Sequence, residues 1–117
     1  MKTGNLFTDA LPPREGERFD TLLRHRNLLV ERIVSSDKIV STTYVQAQDE
    51  WALLVQGEAI LQVGGESLSL TAGDHVFLPA GVPHTVLRTS AGALWLAVHL
   101  YPEGRENTTP GDGSSVA

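Results

Sequence analysis

The chain has no cysteine. Disulfides, thiolate zinc sites and cysteine nucleophiles are excluded, and any transition metal must rest on imidazole, carboxylate, amide or phenol donors. Long apolar runs are also absent. No segment reaches membrane-spanning length, and "MKTGNLFTDALPPREGERF" has no continuous apolar stretch of the signal-peptide kind. The expectation is a soluble, cytoplasmic protein without a membrane partner. Positive charge is scarce: 9 Lys and Arg stand against 14 Asp and Glu, a formal net charge of -5. The basic residues are scattered without interleaved aromatics, which argues against nucleic acid as a partner. No phosphate-cradling glycine motif and no G-x-S-x-G nucleophile elbow occurs.

What the chain does have is turns. At 117 residues it has room for one domain with a real core. From Leu28 onward, "LLVERIVS", "IVSTTYVQ", "WALLVQ", "EAILQVG", "ESLSL", "HVFLP", "HTVLRT" and "ALWLAVHLY" are short runs rich in Val, Leu, Ile and Thr. Glycine-bearing turn signals separate most of them, and Gly64-Gly65 suits a two-residue hairpin with positive φ at both positions. Such spacing predicts an all-β sandwich or barrel over residues 28–101. Ahead of it, residues 1–27 are expected to form an arm and a short helix, because Phe19, Leu22 and Leu23 fall at i, i+3, i+4. Residues 102–117, with little to bury, are expected to be a flexible tail.

The most specific spacing lies in "GDHVFLPAGVPHTVLR". Gly73-Asp74 turns into a strand, Pro79 ends it, and Ala80 to Pro83 turn again to deliver His84 at the head of the next strand. A histidine so placed is aimed by a rigid element into whatever the barrel encloses. A second stretch, "YVQAQDEWALLVQGEA", sets Glu50 seven positions before Gly57.

Here the chain resembles the cupin superfamily. The second cupin motif, G-x5-P-x-G-x2-H-x3-N, is met from Gly73 to His84, with Arg88 at the asparagine position. The first, G-x5-H-x-H-x3-4-E-x6-G, is met only by Glu50 and Gly57; Tyr44 and Gln46 stand where two histidines are usual. The resemblance implies a cupin-like double-stranded β-helix, a jelly-roll barrel with a pocket inside, and a homodimer. Cupins that keep all four ligands hold divalent iron, manganese, nickel, zinc or copper. Carried onto this chain, the expected metal set is Glu50 and His84, supplemented by Gln46 or His99. Glu50, His84 and His99 would make a two-His, one-carboxylate triad if His99 faces inward, which a one-residue register decides.

Tyr44, Gln46, Trp51 and Arg88 are the expected ligand-binding residues, with core filling the alternative for Trp51 and a surface ion pair that for Arg88. His75 alternates out of phase with Val76 and Leu78 and is expected outside, with Phe77. Three readings stand. One is a metal-dependent enzyme of undefined reaction. The second is a metal-free module that binds or senses a small polar molecule through Tyr44, Gln46, Glu50 and His84. The third is an interaction scaffold whose interior is filled by its own side chains.

Overall fold

The computed structural model of the chain describes residues 3–102. Among the described residues, nine strands run β1 Glu17–His25, β2 Leu28–Ser35, β3 Thr43–Tyr44, β4 Asp49–Gln56, β5 Glu58–Val63, β6 Glu66–Thr71, β7 His75–Leu78, β8 His84–Thr89 and β9 Ala93–Leu100. They form two antiparallel sheets, ordered β1-β2-β9-β4-β7 and β3-β8-β5-β6. Alternation along the strands puts Ile33, Ala52, Leu54, Leu61, Leu70, Leu78, Val86, Trp95 and Ala97 in one buried cluster. Leu54, Leu61 and Trp95 are fully buried. Burying side chains of this size contributes roughly 1.5–3 kcal/mol each for the aliphatics.

The expected N-terminal helix does not form. Residues 17–25 are instead β1, paired with β2 from Glu17↔Ser35 to His25↔Leu28. A bulge between Thr21 and Leu23 inserts Leu22 and shifts the alternation, so Leu22 and Leu23 are both 49% exposed. Three apolar residues thus acquire a helical spacing that only a bulged strand explains. The barrel therefore begins at residue 17 rather than 28. The preceding arm is pinned across β1 and β2 by arginines. Arg32 donates to the carbonyls of Leu6 (2.9 Å) and Thr8 (2.6 Å), and Arg18 to those of Asp9 (2.6 Å) and Leu11 (2.8 Å). Asp20 accepts from both guanidinium groups.

The turn at Gly64-Gly65 closes the Val63↔Glu66 pair, yet only Gly64 takes a positive φ, +59°. That is the pattern of a II′ turn, not one positive at both positions. "IVSTTYVQ" yields only the two-residue β3, the rest being loop. The predicted tail lies outside the described residues, apart from Pro102.

Candidate functional site

Interior-facing residues alternate along β4 as Glu50, Ala52 and Leu54, and along β9 as Trp95, Ala97 and His99. On β2 they are Leu29, Glu31 and Ile33. The register sets Glu50 opposite His99 and His99 opposite Leu29, so the apolar interior ends in a polar row. His99 does face inward. Its Nε2 lies 2.9 Å from Glu31 Oε1, its Nδ1 lies 3.3 Å from Gln48 Nε2, and Glu50 Oε1 is 3.8 Å from Nδ1. All three ionisable side chains are fully buried. In the neutral ring, Nε2–H donates to Glu31 and Nδ1 accepts the Gln48 amide. A turned-over amide would present its oxygen and suit the cationic ring equally.

The two sequence motifs meet at the backbone. The amide of Gly81 donates to the Gln46 carbonyl at 2.9 Å, and that of Ala80 to Asp49 Oδ1 at 2.8 Å. The Ala80–Pro83 turn is thereby fixed on the approach to β4, and β8 begins at once with His84, 2% exposed. Tyr44 pairs with His84 across β3 and β8, their rings 6.1 Å apart. Gln46 Nε2 donates to Glu50 Oε1 at 3.0 Å. Gln46 Oε1 and Glu50 Oε2, both buried, have no hydrogen-bond partner. Removal from water pushes the Glu50 carboxyl up to about 7, against the opposing pull of His99 and the Gln46 amide.

A further interior acid comes from β1. Glu17 accepts a short hydrogen bond at Oε2 from Ser35 Oγ, which in turn accepts from Trp95 Nε1 at 3.1 Å. Its Oε1 is buried without a partner. Burial, offset by the Ser35 hydroxyl and reinforced by Glu31, raises this carboxyl to about 7 as well.

Two expected ligand-binding residues point elsewhere. Trp51 is in the opposite phase to Glu50 and Ala52, 36% exposed, its ring 5.6 Å from His75 on the outer face. His75 and Phe77 are outside, as alternation predicts. Arg88 is exposed beside the irregularity in the β5–β8 ladder, and lines an open outer depression of about 550 Å³ with Glu58, Ser69 and Thr71. That depression lies apart from Glu50, His84 and His99, and buried polar groups of that kind are the better guide to a specific site. Glu31, Gln48 and Glu17 were not anticipated. Glu31 had a visible signal, sitting in phase between Leu29 and Ile33. Glu17 had none, because its segment reads as helix.

The donors present do not fit a divalent metal. Among the described residues, no group of three or more His, Asp or Glu is arranged to hold one. The Glu50–His84–His99 triad fails because both ring nitrogens of His99 are engaged, by Glu31 and Gln48. Glu50 already accepts the Gln46 amide. Phenol and carboxamide at the two remaining positions are weak substitutes for imidazole.

The comparisons with known proteins bear on the family and the fold. A family model described as a cupin domain matches residues 37–99. An uncharacterised protein of Streptomyces coelicolor is 33% identical over 69% of this chain and 77% of its own length. A crystal structure from Ralstonia eutropha, provisionally assigned as a mannose-6-phosphate isomerase, is 33% identical with a TM-score of 0.77, covering 87% of this chain and all of that one. A Thermus thermophilus structure is 26% identical with a TM-score of 0.76, over 86% of this chain and 98% of that one. With the motif turn, the two sheets and the inward Glu50 and His84 already in place, these matches make the chain a member of the cupin superfamily.

Proposed function

We propose that the barrel interior binds a small polar molecule directly, with Tyr44, Gln46, Glu50 and His84 as its hydrogen-bonding wall and no metal between them. The observation that carries this reading is the pair of buried, unpartnered oxygens, Gln46 Oε1 and Glu50 Oε2, on side chains already bonded to each other. Leaving a buried polar atom unsatisfied costs about 1–3 kcal/mol. Two such atoms on adjacent side chains form a prepared cradle for a donor-bearing ligand. The isomerase description of the Ralstonia relative favours a hydroxylated molecule. The carboxyl groups of Glu17, Glu31 and Glu50 disfavour one whose phosphate must enter the chamber.

The test is a thermal-shift and calorimetric screen of neutral polyols, sugars, amines and carboxylates against untagged protein, with elemental analysis of the same sample. Binding that is retained in chelator and lost in Glu50→Gln or Gln46→Ala supports the reading. Stoichiometric metal that disappears in Glu50→Gln and His84→Ala would overturn it in favour of a metalloenzyme.

We also propose that the chain pairs with a second copy through the outer face of the larger sheet. Register places Leu23, Val30, Val98, Trp51 and Phe77 in one row across all five strands, on the face away from the core. Leu23, Trp51 and Phe77 in that row are substantially exposed.

A further inference from the structure

The two sheets are open where β1 and β3 form their edges. A cleft of about 210 Å³ lies there, lined by Glu17, Phe19, Ile39, Val40, Tyr44 and Val86 among others. We infer that this cleft is a subsite for the ammonium group of a small organic amine, with Glu17 as its counter-ion. Phe19, Ile39, Val40 and Val86 would contact the amine's hydrocarbon part. The inference rests on the proposed interior binding and narrows it to a ligand class.

Four observations converge on it. Glu17 Oε1 is a buried acceptor lacking a hydrogen-bond partner, while Oε2 is anchored by Ser35, itself held by the Trp95 indole. The carboxylate plane is therefore set by protein contacts, and the remaining oxygen needs a donor from outside. The remainder of the lining is mainly apolar, apart from Thr42 and the Tyr44 phenol. The volume is below the roughly 300–1,000 Å³ of drug-sized sites, which limits the occupant to a few carbons.

The fourth observation is the sign of the surrounding charge. The titratable groups that act on Glu17 are Glu31 on β2 and Glu50 on β4, and Tyr44 on β3 shares the cleft, while His84 on β8 and His99 on β9 are buried imidazoles outside its lining. Three carboxyl groups including Glu17 itself stand against two imidazoles. The nearby guanidinium group on β1, Arg18, is committed to Asp20 and to the arm's carbonyls on the other face. An anion entering here meets the Glu17 carboxyl and no cationic side chain in the cleft lining, a neutral donor fills one hydrogen bond, and a cation satisfies both the orphan oxygen and the charge. Because burial keeps Glu17 near half-ionised at neutral pH, a cation must also draw its proton off.

The experiment titrates the full chain with n-butylamine, 1-butanol and butyrate, read by amide chemical shifts and by calorimetry in two buffers of different ionisation enthalpy. The expected result is binding of the amine, with shifts at Phe19, Ser35 and Val86, and release of a fraction of a proton near pH 7. Affinity should rise about tenfold between pH 6 and 8 as the ionised fraction of Glu17 grows. Glu17→Gln should weaken amine binding at least tenfold and remove its pH dependence. Butanol binding as tightly as the amine, no amine binding at all, or an undiminished Glu17→Gln would each overturn the inference. Glu50→Gln separates the two readings. Amine binding lost in Glu17→Gln and kept in Glu50→Gln upholds the subsite while removing Glu50 from the ligand. Loss in Glu50→Gln alone overturns it and leaves the Gln46–Glu50 cradle standing.

Discussion

His99 Nε2 lies 2.9 Å from Glu31 Oε1, and neither side chain has any solvent exposure. The pair bridges β9 and β2 on the interior face, where His99 would otherwise be expected to seek a metal. Breaking a buried pair strands the remaining group, which typically costs 3–5 kcal/mol. Glu31→Ala should therefore lower the free energy of urea unfolding by an amount of this order. Glu31→Gln, which keeps an acceptor for Nε2–H, should cost clearly less. Equal losses in the two variants would show that packing, rather than the hydrogen bond, is what Glu31 supplies.

Two raised carboxyl groups set a direction for the pH dependence of stability. Glu17 and Glu50 ionise near 4.5 in the unfolded chain and near 7 in the folded one. Between those values the native state holds more protons, so stability falls as pH rises through the window and levels off above about 7. Each group should contribute on the order of 2–3 kcal/mol of loss between pH 5 and 8. Unfolding midpoints of Glu17→Gln and Glu50→Gln should exceed expectation at pH 8 relative to pH 5, and the double variant should be the flattest of all. A wild-type minus variant difference that does not change with pH would remove the premise of buried, reluctant acids.

Much of this was legible in local spacing, and what was not depends on distant partners. Gly73, Pro79, Gly81 and His84 announce their turn because each acts within a few residues, and the short runs from Leu28 announce their strands. That His99 faces inward depended on a register set by pairing with β2 and β4, whose nearest residues are Leu29 and Glu50. Its engagement by Glu31 and Gln48 follows from the same pairing and could not be read from "WLAVHLY". The first strand was misread because its bulge at Leu22 imitates a helical period. Glu17, the acid that segment carries inward, was hidden with it.

Gly57 explains its place in the first motif. Its φ is +94°, and an added Cβ would lie 2.9 Å from Ala93 Cα and 2.7 Å from Ser90 Oγ. Backbone strain of about 1–3 kcal/mol combines with overpacking of similar size. Gly57→Ala should destabilise the fold by roughly 2–4 kcal/mol on those two grounds. Gly65 is the control: it has open space for a Cβ and no positive φ, so Gly65→Ala should be near neutral. Thermal melts of the two variants side by side make the comparison, and similar melting points would contradict the close approach of β9 to this turn.

The outer row on the larger sheet makes the last prediction. Phe77 is 56% exposed and pairs with Trp51, which pairs with Val98, which pairs with Val30 and then Leu23. Strands about 4.8 Å apart spread this row over roughly 19 Å, long enough to meet its own copy face to face. A lysine at its edge would bury an ammonium group in that contact with no carboxylate in the row to receive it. Sedimentation equilibrium at tens of micromolar should give twice the 12.6 kDa chain mass for the wild type and a single chain for Phe77→Lys. Phe77→Lys should otherwise melt as a folded barrel, since Phe77 lies outside the core cluster. A wild type that sediments as one chain would mean that the exposed row serves some surface other than its own copy.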